Sequence, residues 1–169
     1  MTHATGFSLV ELIITLLIAA ILLGVGVPSL ADSYRHFRAD SNIQKIQQHL
    51  LFARSHAISY GARITVCPLN NNLCINQWQQ GLTVFIDNGE YGKFETDDKI
   101  LFQLEAFHHE DTVSYSRSAI RFLPTGLASG TNGTLRYCPG SADSPYSRAV
   151  IISNAGRIRL SQDKEIACQ

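Results

Sequence analysis

Residues 6–28 read GFSLVELIITLLIAAILLGVGVP, and the architecture of the chain follows from this stretch. From Leu9 to Val27, a run of 19 positions, only Glu11 and Thr15 are clearly polar. An apolar run of that length can cross a bilayer as a helix. A cleaved secretory signal would start with basic residues, keep a shorter apolar core and end on a small-residue cleavage site. Here the first six residues hold no Lys or Arg, the run is longer, and Pro28 follows it. The segment is therefore expected to be retained. Glu11 is its odd member, since an acidic side chain in an apolar span costs about 2.5–3.5 kcal/mol on insertion scales and needs a partner or a role. A cut after Gly6 would place a new α-amino group on Phe7, close to Glu11 in sequence. Amine and carboxylate attract strongly at low dielectric, and such a pair between neighbouring copies would set the stagger of a helical filament.

Beyond Pro28 the pattern bends without ending, as a helix kinked at proline would. Leu30, Tyr34 and Phe37 form one apolar stripe, and Ile43, Ile46, Leu50, Ala53, Ala57 and Tyr60 form a second at three- and four-residue spacing. One long helix is expected from about residue 7 to Tyr60, closed by Gly61. Its first half would lie in lipid or a filament core, and its second half would pack on a globular domain. After Ala62 the texture changes to short β-type runs broken by Gly, Asn and Pro: 62–67, 82–86, 99–104, 112–116, 119–123, 133–138, 148–153 and 156–160. Short turns between adjacent runs favour antiparallel pairing. The fold class is therefore α+β, a long N-terminal helix packed on antiparallel β-sheet.

The 169 residues allow one ordinary domain plus an anchor. Formal net charge is zero, so bulk charge points to neither nucleic acid nor an acidic partner. The four cysteines, Cys67, Cys74, Cys138 and Cys168, follow an export-type N-terminus and favour disulfides over free thiols. Three pairings are possible. The simplest joins Cys67 to Cys74 across Pro68–Leu73 and Cys138 to Cys168, which would tie the C-terminus back to the domain. No C-x-x-C spacing exists, so a zinc site is disfavoured, and no metal or cofactor is expected.

The run Gly6-Phe7-Ser8-Leu9-Val10-Glu11 resembles the prepilin peptidase site of type IV pilins and type II secretion pseudopilins. That resemblance implies cleavage after Gly6, N-methylation of Phe7, a role for Glu11 in assembly, and the type IV pilin fold. It divides the chain into a leader (1–6), a transmembrane and filament-core helix (7–28), an amphipathic continuation (29–61) and a β-rich pilin domain (62–169). Cys67-Pro68, Trp78-x-x-Gly81, Val84-Phe85-Ile86-Asp87, Ile100-Leu101, Phe122-x-Pro124-x-Gly126 and Val150-Ile151-Ile152-Ser153 with Gly156-Arg157 are similar to the GspH/FimT/FimU branch of minor pilins and pseudopilins. The branch implies a filament subunit without enzymatic activity. It also implies a single-pass protein of the bacterial inner membrane with a periplasmic domain, extracellular once assembled. Prepilin peptidase and other major and minor pilins would be its partners.

Candidate chemistry in the domain is sparse. The segment Asp87–Asp98 has twelve residues with glycine at the sixth, as a calcium loop does, but Gly89 and Tyr91 stand where oxygen ligands are required. A solvated hairpin loop is the expectation. His108-His109-Glu110-Asp111 reads as a solvated turn and Asn132-Gly133-Thr134 as a turn rather than a glycosylation site. Serines lack a G-x-S-x-G context and no phosphate loop is present, so catalysis has no candidate. Loops 70–80 and 141–146 leave an adhesive role open.

Charge distribution says more. Between Asp87 and Asp111 eight acidic residues face two lysines, a balance of −6, whereas from Thr112 to Gln162 six arginines face Asp143, a balance of +5. The arginines are Arg117, Arg121, Arg136, Arg148, Arg157 and Arg159. Their planar forks suit bidentate phosphate contacts. In Gly156-Arg157-Ile158-Arg159 a strand would point both arginines to one face, about 6.6–6.8 Å apart. That matches the spacing of successive phosphates along a DNA strand, with exposed backbone at Gly156 helping the approach. A G-R-x-R sequence near the C-terminus resembles the motif of FimT-type minor pilins that bind DNA in natural transformation. The expected ligand is double-stranded DNA, held by Arg157 and Arg159 with Arg148, Arg136, Arg121 and Arg117 as supports. The alternatives are a structural subunit that primes a pilus or serves a type II secretion system, with arginines that meet another pilin's acidic surface.

Overall fold

The computed structural model describes residues 8–163 and 165–168; the cleavage and methylation positions Gly6 and Phe7 lie outside the described residues. A single helix, α1 (Leu9–Tyr60), has 52 residues and remains helical through position 28. Ser8 caps it by accepting the Glu11 backbone N–H at its Oγ, 3.2 Å away. Gly61 ends it in the left-handed conformation, φ 59°, and donates its N–H to the Ala57 carbonyl. Glycine adopts that geometry without the Cβ penalty, so the helix stops there.

Among the described residues ten strands follow, all paired antiparallel: β1 (Ile64–Cys67), β2 (Leu69–Asn70), β3 (Leu73–Cys74), β4 (Leu82–Ile86), β5 (Lys99–Leu104), β6 (Thr112–Ser114), β7 (Ile120–Phe122), β8 (Gly133–Cys138), β9 (Arg148–Ile152) and β10 (Ile158–Leu160). They form two four-stranded sheets, ordered β5-β4-β1-β7 and β10-β9-β8-β6, and a small β2-β3 ribbon. The ribbon was not anticipated. Each of its strands is two residues long, too short for periodicity to register, and the Cys67–Cys74 disulfide closes the segment. The second disulfide joins Cys138 to Cys168 and returns the C-terminal tail to the second sheet.

One core lies between α1 and the two sheets. Ala39, Ile43, Ile46, Leu50, Ala53 and Ala57 of the helix meet Ile64, Val66, Val84, Ile120 and Phe122 of the first sheet and Leu135, Tyr137, Val150 and Ile152 of the second. Tyr60, expected on the buried stripe, is 70% exposed, and Ala39 takes a place on the buried face instead. Tyr60 closes the helix at Gly61, and the domain does not extend to cover it.

The helix is fastened to the second sheet by a polar cluster. Asp111, fully buried, accepts from Arg38 at 2.5 Å, from the Gly140 N–H at 3.1 Å and from the Tyr137 hydroxyl. Asn42 donates to the Tyr137 oxygen at 2.6 Å. Burial, and then the hydrogen bond to Asp111, push the Tyr137 hydroxyl above its ordinary pKa, so it stays a donor. Asp111 is thus a structural acceptor inside the domain and not part of a solvated turn.

Candidate functional site

Strand alternation sorts four of the six arginines, Arg121, Arg136, Arg148 and Arg159, whereas Arg117 and Arg157 lie outside the strands. The strand expected over 156–160 begins only at Ile158, because Gly156 and Arg157 complete the preceding turn. On β9, Val150 and Ile152 point into the core, so Arg148 points the same way, toward α1. Its Nε donates to Asp40 at 2.7 Å, its Nη1 reaches the Tyr146 and Ser147 carbonyls, and its Nη2 lies 3.0 Å from His36 Nε2. On β7, Ile120 and Phe122 face the core and Arg121 faces the opposite side of the first sheet. That side is covered. Arg121 Nη2 lies 2.8 Å from Asp87, which is fully buried, while the Tyr91 ring sits 4.6 Å beneath the guanidinium. Thr65 donates a further hydrogen bond to Asp87 at 2.5 Å.

These contacts correct two expectations. Arg148 and Arg121 are committed to internal ion pairs, so neither presents a free fork to a ligand. The loop Asp87–Asp98 is not simply solvated either, because Asp87 is inside, Phe94 packs edge-on against Phe85, and a bridge ties Leu73 to Lys93. Its buried carboxylate serves Arg121. Among the described residues no group of three or more His, Cys, Asp or Glu is placed to hold a metal ion.

Arg136 and Arg159 share a different face. Arg159 pairs with Ile151, which pairs with Thr134, and Arg136 pairs with Ala149. All of these alternate with the core residues Leu135, Val150 and Ile158, so they line the outward side of the second sheet. The tail crosses beside them. A cavity of about 400 Å³ is lined by Thr134, Arg136, Ala149, Asp163, Glu165 and Ile166. Two tail carboxylates thus accompany Arg136, whereas Arg157 and Arg159 are exposed. Neither Arg157 nor Arg159 enters an ion pair among the described residues. Arg117 is also exposed, but it belongs to the β6–β7 loop, where its carbonyl accepts from Trp78 Nε1 at 2.8 Å.

The Gly156 turn holds Arg157 in place. Gly156 N–H donates to the Ser153 carbonyl at 2.9 Å, and Ser153 N–H donates to the Arg157 carbonyl at 3.0 Å. Ser153 Oγ accepts the Arg157 N–H at 3.1 Å. Gly156 has φ 71°, and a Cβ there would lie 1.8 Å from the Gly126 carbonyl oxygen. Its backbone is therefore buried and not exposed for a ligand; Gly126 and Arg54 cover it. Arg54, missed in the sequence, reaches from α1 to the Gly126 carbonyl at 3.2 Å and toward the Ala155 carbonyl at 3.5 Å. The glycine's role in G-R-x-R is to fix the turn that carries Arg157 and leads into β10, which carries Arg159.

A long N-terminal helix packed on antiparallel sheets, with a capped apolar start carrying one glutamate, defines the type IV pilin class. Residues 42–156 match the family of type II transport protein GspH, and residues 1–27 match the prokaryotic N-terminal methylation motif. The chain belongs to the GspH family of minor pilins and pseudopilins. Among solved structures it is similar to the type IV minor pilin FimU of Pseudomonas aeruginosa strain PAO1, at 22% identity over 78% of this chain and 95% of that one, TM-score 0.62. It is similar also to the minor pseudopilin EpsH from the type 2 secretion system of Vibrio cholerae, at 21% identity over 73% and 96%, TM-score 0.50. These likenesses concern the fold. No curated protein matches the chain. The family and the methylation motif imply association with other pilins and processing by a prepilin peptidase, and the apolar helix fits a membrane anchor.

Proposed function

We propose that the chain is a minor type IV pilin that binds extracellular double-stranded DNA for uptake through Arg157 and Arg159. Processing after Gly6 with methylation of Phe7 and an assembly role for Glu11 belong to the same reading. So does an inner-membrane anchor with a periplasmic domain that becomes extracellular in the filament. The observation that carries the DNA assignment is the sorting of the arginines. Arg121 and Arg148 are held in ion pairs, while Arg157, in the turn before β10, and Arg159, on β10 at a sheet edge, are both exposed and two residues apart. Arg136 shares the sheet face of Arg159 and is the best placed support. Contacts of this kind grip phosphates without reading bases, so binding would be weakly sequence-specific and salt-sensitive.

The test is duplex DNA binding by the full chain in detergent micelles. Two phosphate contacts predict an affinity loss of about tenfold between 50 and 200 mM salt. Arg157→Gln with Arg159→Gln should remove most of that salt dependence together with the affinity. Unaltered affinity in the double variant would sink the assignment.

A second reading is favoured by the position of β10 at a sheet edge. Charged side chains on edges prevent unwanted strand addition, and these arginines could equally meet the acidic surface of another pilin. The chain would then be a structural subunit, as the names of FimU and EpsH describe their own proteins. In that case the double variant would lower filament assembly and leave DNA binding unchanged.

A further inference from the structure

Three segments without a carboxylate meet beside the C-terminal end of α1. Asp and Glu are absent from residues 41–86, 112–142 and 144–162, which include the last turns of α1, the loop after β7 and the turn before β10. The Asn154 carbonyl accepts the Ala128 N–H at 3.0 Å and joins the loop to the turn. Arg54 joins both to the helix, through the Gly126 carbonyl and, at the surface, the Ala155 carbonyl. Two glycines let the backbone close down on it. A Cβ at Gly156 would lie 3.0 Å from Arg54 Nε, and one at Gly126 would lie 3.5 Å from the same atom.

Arg54 differs from the arginines that hold the domain together. Arg38, Arg121 and Arg148 each meet a carboxylate, at 2.5, 2.8 and 2.7 Å. Among the described residues Arg54 meets only carbonyls, and its Nη1 has no acceptor. Carbonyls orient a guanidinium without cancelling its charge. The side chain is also partly exposed, so an anion can reach it. A role limited to holding the turn would need hydrogen-bond donors and no charge.

We propose that Arg54 is a third phosphate contact of the DNA-binding surface, carried by α1 and set beside the Gly156 turn. The inference rests on the reading of the chain as DNA-binding. With consecutive Cα atoms about 3.8 Å apart, Arg54 Nε stands within roughly 9 Å of the Arg157 Cα. That is about three nucleotides' rise along one strand at about 3.4 Å each, so one duplex can meet both forks. The hydrogen bonds to Gly126 and Ala155 already hold the Arg54 fork. A fork ordered before its ligand arrives loses less freedom on binding.

The test is duplex DNA binding by the full chain in detergent micelles, with affinity followed from 50 to 200 mM salt. Each phosphate contact adds about 0.9 to the logarithmic salt slope, so three predict a loss of about fortyfold where two predict about tenfold. Arg54→Gln should bring the loss back to about tenfold and weaken binding alike on duplexes of unrelated sequence. Arg54→Lys keeps the charge without the fork and should retain the fortyfold loss. Arg54→Gln is then added to the variant with Arg157→Gln and Arg159→Gln. That double variant should keep a loss of about three- to fourfold, and Arg54→Gln should abolish it. An arginine that only shapes the turn would have no effect there, because the cations near the turn are already gone. A parent loss of about tenfold that Arg54→Gln leaves unchanged, or no effect in the double variant, would overturn the contact and leave the arginine pair standing. A parent that does not bind DNA, or a double variant that binds as the parent does, would sink the DNA reading and this contact with it.

Discussion

Arg121 and Arg157 each adjoin a buried isoleucine, Ile120 and Ile158, Arg121 within β7 and Arg157 in the turn that leads into β10. Their surroundings differ completely. Arg121 is 12% exposed against a carboxylate that water does not reach, and an aromatic ring closes its other face. Arg157 stands at the mouth of a turn with its backbone bonded and its side chain in solvent. The first has lost its hydration and depends on Asp87; the second keeps its hydration until a ligand displaces it. A basic stretch in a sequence can therefore mix groups that build the domain with groups that are free to bind.

The strongest way to break this contrast is to remove the buried member. Arg121→Ala leaves the Asp87 carboxylate in the interior with only Thr65 for company, and breaking a buried pair on one side costs about 3–5 kcal/mol. Thermal unfolding should show a Tm lower by roughly 10 °C or more. A loss below about 1 kcal/mol would mean that water reaches Asp87 and that the pair behaves as a surface one.

This pair also marks the limit of what could be read from the residues alone. Alternation of Ile120, Arg121 and Phe122 shows that the arginine faces away from the isoleucine, but not whether that side is wet. The cover comes from Asp87 and Tyr91, about thirty residues earlier, and no local period links them. The apolar N-terminal helix was legible because its length and its apolar composition are properties of the segment itself. The long helix and the longer strands were legible for the same local reason, as periodicities of 3.6 and 2. Gly156 illustrates the opposite case. Its need for a bare α-carbon arises from the Gly126 carbonyl, a neighbour that only the folded chain brings close.

Arg148 sharpens the comparison from an intermediate position. It is about one third exposed, as is its partner Asp40, so solvent screens much of their attraction. The pair nonetheless joins β9 to α1, and two carbonyls and His36 share the guanidinium. Arg148→Ala is expected to cost about 1 kcal/mol in urea unfolding, with an unchanged m-value because the same surface is exposed on unfolding. A cost as large as that of Arg121→Ala would place Arg148 among the buried pairs. No cost would leave the apolar core and the Asp111 cluster to hold α1 on the second sheet.

The smallest expected effect carries the most functional weight. Arg157→Gln and Arg159→Gln touch side chains that make no ion pair among the described residues, and the turn hydrogen bonds at residue 157 use only its backbone. Glutamine keeps the length and polarity of each side chain, so the stability of the double variant should stay within about 0.5 kcal/mol of the parent. That near-silence makes a binding measurement interpretable. If the same variant loses DNA affinity while its urea midpoint is unmoved, the loss belongs to the phosphate contacts and not to a damaged fold. A destabilisation of about 2 kcal/mol or more would instead show that the two arginines serve the domain as Arg121 does, and the division between structural and ligand-facing arginines would fail at the site it was drawn to explain.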